Sequence, residues 1–154
     1  MTTRDDGEVQ EPLADEGGPR YWIDPVRFEE LNRSLELLLV TRRCSTCLQL
    51  PINSGEPPAA SEQIRHIVEC CANEESFIKP SMPLQEIVFR IILAQGNVPV
   101  SLSHLHYQLT EKWATPGNPM NISPEGLKRV LDGDDFYGFR EEAPANEDEE
   151  QVSR

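Results

Sequence analysis

Four cysteines and one histidine carry the chemistry that can be read directly from this chain. Cys44-x2-Cys47 is followed, after 18 intervening residues, by His66-x3-Cys70, with Cys71 adjacent. A Cys-x2-Cys knuckle bends the backbone so that two thiolates face one point. On a helix, residues four apart lie one turn above each other on the same face. Structural Zn²⁺ takes four nitrogen or sulfur ligands at about 2.0–2.3 Å in closed tetrahedral geometry. The spacing therefore predicts a structural zinc on Cys44, Cys47, His66 and Cys70, with Cys71 as an alternate ligand in place of His66 or of Cys70.

Two competing readings use the same residues. Cys70 and Cys71 can be small buried apolar side chains with His66 at the surface, or Cys44-x2-Cys47 can be a redox pair. The redox reading lacks the βαβ surroundings of a thioredoxin-like site. A catalytic zinc needs an open coordination position and a nearby general base, and no His-Glu-x-x-His or His-x-Glu pattern is present. His104-x-His106 directs its imidazoles to different sides of a helix, so His106 is expected partly buried and His104 solvated. Neither a nucleophile–base pair, a phosphate-cradling glycine loop nor a pair of catalytic carboxylates can be singled out, and no enzyme is expected.

These ligands must be positioned by a small framework. Asp24-Pro25 is a helix start, an oxygen acceptor followed by a proline whose missing N–H costs nothing. The spacing of Val26, Leu31, Leu35, Leu38 and Leu39 predicts one helix over 25–42. Ser61 opens a second, over 61–72. The segment 21–79 has too few apolar contacts to stand alone, and metal binding supplies folding free energy in such units. A further helix is expected over 84–95, stopped by Gly96-Asn97, then Ser101 capping a helix over 102–113, and Ser123-Pro124 opening a last one stopped by Gly133. A rung at 98–100 is expected to pair with 136–139. The fold expected is mainly α: a zinc-stapled two-helix module at 21–79, then a small winged-helix-like domain at 80–140 with a minor two-strand sheet. Acidic ends at 1–20 and 141–154 are expected to be disordered.

The order of elements over 83–140 resembles the helix-turn-helix domain of the delta subunit of bacterial RNA polymerase. The resemblance rests on Leu84 to Gln95, on the Gly96-Asn-Val-Pro-Val-Ser101 turn, on Leu102 to Trp113, on Ile122-Ser-Pro124-Glu and on Asp134-Asp-Phe136-Tyr137, with an acidic tail after them. It implies a transcription-associated role. A cysteine-bearing segment in front, a much shorter tail and the lack of a second wing strand depart from that pattern.

Charge narrows the partners. The chain has 154 residues and a formal net charge of −13. Most of that excess lies in the two ends, and the last helix offers only Lys128 and Arg129 to a nucleic acid. Autonomous DNA binding wants a basic footprint, so direct nucleic-acid binding is not expected. The sequence points to a non-catalytic zinc-binding interaction or regulatory protein docking on a larger protein machine such as RNA polymerase. A dimeric DNA-binding regulator is the alternative. The longest apolar run, Leu37 to Val40, is far below the roughly 20 residues that span a bilayer. The N-terminal residues lack an apolar signal segment, so the expected location is cytoplasmic. Disulfides are not expected in that compartment.

Overall fold

The structure is a computed structural model that describes residues 18–44, 57–117 and 120–142. Its elements run β1 (Arg20–Ile23), α1 (Pro25–Glu30), α2 (Leu35–Val40), α3 (Ala60–Glu69), α4 (Leu84–Ala94), β2 (Val100–Ser101), α5 (Leu102–Tyr107), α6 (Pro124–Asp132) and β3 (Phe139–Glu141). Two 3₁₀ turns, Cys71–Asn73 and Glu75–Phe77, follow α3, and a π-helical stretch, Gln108–Lys112, continues α5. The fold is mainly helical with one small antiparallel sheet.

The sheet corrects the expected strand pairing. It has three strands in the order β2-β1-β3, so the two expected partners never touch, and the segment before the first helix lies between them. Tyr21 pairs with Val100 on one side. Trp22 faces Arg140, and Ile23 faces Phe139, on the other. Tyr21 and Ile23 turn inward and are fully buried. Arg20 and Glu141, expected within disordered ends, are terminal rungs of strands; residues 1–17 and 143–154 of those ends lie outside the described residues.

The single helix expected over 25–42 is two helices. Asn32 takes a left-handed backbone (φ 58). The Arg33 amide then reaches back to the Phe28 carbonyl, and the Asn32 amide to the Glu29 carbonyl, the hydrogen bonds of a Schellman stop. Ser34 restarts the chain by accepting from the Leu37 amide at 3.1 Å. A local cap competes with helix continuation at these residues and wins. The helix expected to open at Ser61 starts instead at Ala60, with Ala59 before it and no side-chain cap; three other starts follow their sequence signals. Asp24 accepts from Val26, Ser101 from His104 and Ser123 from Gly126.

α4 is the centre of the molecule. Ile87, Val88, Phe89, Ile91, Ile92 and Leu93 are all buried, so this helix is covered on nearly every side. Each such side chain contributes about 1.5–3 kcal/mol over its exposed state. α3 and β1 pack on α4 from the N-terminal half of the chain, and the π stretch does so from the C-terminal half. The buried cluster runs from Tyr21 to Phe139 with no break at the expected 79/80 boundary.

One buried ionic knot crosses that boundary. Glu86 on α4 is only 7% exposed. Its carboxylate accepts from Arg42 at 2.7 and 2.8 Å, from Arg90 at 2.7 Å and from the Tyr137 hydroxyl at 2.7 Å. Burial works against the charged carboxylate, but the hydrogen bonds from Arg42, Arg90 and Tyr137 outweigh it and hold Glu86 below the usual carboxylate range.

Candidate metal centre

The cysteine cluster is assembled where the end of α2 meets the end of α3. After Val40 the chain runs through Thr41-Arg42-Arg43 to Cys44, and the Cys44 amide donates to Cys71 Sγ at 3.2 Å. The two thiols are also hydrogen-bonded to each other. Cys71 is fully buried, whereas Cys44 is partly exposed.

A local backbone event decides which sulfur turns inward. The helix expected to run through residue 72 ends at Glu69, because Cys70 leaves helical geometry (φ −130, ψ −63). The 3₁₀ turn that begins at Cys71 then carries its side chain into the core. Burial is the largest influence on the Cys71 thiol and pushes its pKa up, against the Cys44 amide and the Arg43 side chain, which donate to the sulfur and favour the thiolate.

His66, expected as a ligand, lies with its Nδ1 3.1 Å from the Arg43 guanidinium. Arginine can only donate, so this nitrogen accepts and the ring proton sits on Nε2. Arg43 is itself buried, 7% exposed, and links His66 to the thiol cluster.

Cys70 is disulfide-bonded, contrary to the expectation of reduced thiols throughout; Cys44 and Cys71 are not, and the other half of the bond lies outside the described residues. A disulfide sulfur has no thiolate charge to give a metal, so Cys70 becomes a ligand only after reduction. Cys47 also lies outside the described residues. Among the described residues no three or more His, Cys, Asp or Glu side chains are grouped to hold a metal ion. The structure thus brings together Cys44 and Cys71, and brings His66 to Arg43.

The remaining candidates are engaged elsewhere. His106 is partly buried, with Nε2 2.7 Å from the Ile122 carbonyl. Lys128, the lysine of α6, donates to the Tyr21 hydroxyl at 3.0 Å, to Asp132 at 3.0 Å and to Glu141 at 2.9 Å. These hydrogen bonds push its pKa up and fix its charge. Arg140 of β3 is held by Asp24 at 2.8 Å and by Glu30 at 3.2 Å, whereas Arg129 is exposed. Sequence reasoning missed Glu86 and Arg43. A glutamate in an otherwise apolar helix, four residues before an arginine, was the available signal for Glu86; Arg43 carried none.

No protein-family model, curated protein or solved structure matches the chain. No helix among the described residues is long and apolar enough to cross a membrane.

Proposed function

We propose that this chain is a non-catalytic interaction or regulatory protein that docks on a larger protein assembly through protein contacts. The observation that carries the reading is the saturation of Lys128. The lysine best placed on α6 to meet a phosphate spends its three donors on Tyr21, Asp132 and Glu141. Each phosphate contact in a DNA complex needs a cation released from other partners. A helix whose lysine is already ion-paired, in a chain of net charge −13, is suited to a basic protein surface instead. The winged-helix-like arrangement and the resemblance to the polymerase delta subunit make a transcription-associated assembly the natural partner class, with a cytoplasmic location.

A structural zinc belongs to the same proposal. Cys44, Cys47 and reduced Cys70 supply three thiolates. The fourth ligand is Cys71 rather than His66, a choice supported by the contact of Cys71 with Cys44 and by the engagement of His66 Nδ1 with Arg43. Zinc there would tie the end of α2 to the end of α3 and take no part in a reaction.

Affinity capture with the tagged full-length chain tests the docking reading. The expected result is a protein assembly retained after nuclease treatment and released by salt. Recovery that disappears on nuclease treatment would establish nucleic acid as the true partner.

A further inference from the structure

We propose that Cys44 and Cys71 form a thiol–disulfide exchange site whose substrate class is a small-molecule disulfide, such as oxidised glutathione. The two residues are 27 positions apart, yet the Cys44 amide lies 3.2 Å from Cys71 Sγ and the thiols are hydrogen-bonded to each other. They differ in access. Cys44 is partly exposed and Cys71 fully buried, so a disulfide arriving from solvent meets Cys44 first.

The chemistry follows from that asymmetry. The Cys44 thiolate attacks one sulfur of the incoming disulfide R–S–S–R. A Cys44–S–S–R bond forms, the R–S–S–R bond breaks, and one RS⁻ leaves and takes up the proton that Cys44 lost. Cys71 then attacks Cys44 Sγ, forming Cys44–S–S–Cys71 and expelling the second RS⁻, which takes the proton of Cys71. Two cysteine thiols are oxidised by two electrons, and one disulfide is reduced to two RSH. Cys71 is buried and lies against Cys44, so it is placed for the second step rather than the first. The Cys44 amide already donates to Cys71 Sγ at 3.2 Å, which holds the two residues together for that step.

The neighbouring residue shows that this locality accommodates such a bond, since Cys70 is disulfide-bonded. Closing Cys44 onto Cys71 would set a second bond beside the first and join the end of α2 to the 3₁₀ turn after α3. The inference does not rest on the zinc reading, although zinc on Cys44 would shield it from attack.

The test uses the full-length chain, stripped with chelator and kept free of reductant, with metal content measured separately on the protein as isolated. The chain is treated with oxidised glutathione under argon, quenched with acid, alkylated and mapped by mass spectrometry without reduction. The expected product is a Cys44–Cys71 cross-linked peptide pair. Cys71→Ser should instead accumulate a glutathione adduct on Cys44, and Cys44→Ser should leave Cys71 as an unmodified thiol. The wild-type map needs no variant to fold. A wild-type chain in which Cys44 keeps its glutathione adduct, or in which both cysteines remain alkylatable, overturns the proposal. So does a bond from Cys44 to a cysteine other than Cys71. Zinc content above or near zero answers the separate question of the metal.

Discussion

The side-chain amide of Asn97 occupies both backbone hydrogen-bonding groups of Ile23. Its Oδ1 accepts from the Ile23 N–H and its Nδ2 donates to the Ile23 carbonyl, each at 2.8 Å. β2 pairs with β1 only at Arg20 and Tyr21, so this one side chain takes the place of the next strand rung. Asn97 also has a left-handed backbone (φ 62), at the stop of α4, where its amide returns to the Ile92 carbonyl.

Two variants separate these roles. Asn97→Gly keeps the backbone comfortable and loses two hydrogen bonds, at about 0.5–1.5 kcal/mol each. Asn97→Ala loses the same bonds and adds left-handed strain of roughly 1–2 kcal/mol. Urea unfolding should therefore rank wild type above Gly, and Gly above Ala. Equal losses for the two variants would show that the backbone conformation at this position is not strained.

Glu86→Gln should be among the most damaging single substitutions. It leaves Arg42 and Arg90, with side chains only 17% and 15% exposed, without their common counter-charge. Removing one partner of a buried pair costs roughly 3–5 kcal/mol. The denaturant midpoint should fall sharply while the slope of the transition stays the same.

The same carboxylate sets the acid limit. A carboxyl held below its unfolded pKa contributes stability that is present above the unfolded value, about 4.3, and is lost as pH falls through the folded one. Acid unfolding of the wild type should steepen below about pH 4, and Glu86→Gln should lessen that steepening. At the alkaline end the sign reverses. Tyr21 and Tyr137 are each pushed up to about 12, first by burial and then by hydrogen bonds to Asp132 and Glu86 respectively. Their contribution is complete below about pH 10 and lost as pH rises toward 12, and absorbance at the tyrosinate band should show two late-titrating phenols.

Protein purified under reducing conditions, without chelator, is expected to carry about one zinc per chain. Cys44→Ser and Cys71→Ser should both lose it, whereas His66→Ala should retain it. α3 packs directly on α4, so metal loss should lower the unfolding midpoint of the whole described core rather than of one half. Full zinc retention by Cys71→Ser would return His66 to the ligand set.

Duplex DNA should not be retained at about physiological salt, since too few counterions would be released. Tight, sequence-dependent retention in a gel shift would count for the DNA-binding alternative.

Local signals in the chain were legible, and non-local ones were not. Asp24-Pro25, Ser101 and Ser123-Pro124 open helices as their side chains and rings demand, and Gly96-Asn97 closes one. Ser34, inside the single helix expected over 25–42, is a cap that the preceding Asn32 makes necessary. β1 escaped notice because four residues carry no periodicity, and what makes them a strand is pairing with Val100 and Phe139, far along the chain. The cysteine spacing did bring residue 44 to the end of α3. It could not say which sulfur faces inward, because that depends on the change of backbone direction at Cys70, for which Cys-Cys has no local signature.

The position of β1 in the sheet has a consequence for synthesis. β1 precedes both of the strands that flank it, so Tyr21 has no sheet neighbour until Val100 has been made, and Ile23 none until Phe139. Closing the sheet therefore takes two pairings of high sequence separation, which form slowly. Until Phe139 is in place β1 keeps an unpaired edge, the kind of segment that chaperones hold and that aggregation exploits when they are scarce.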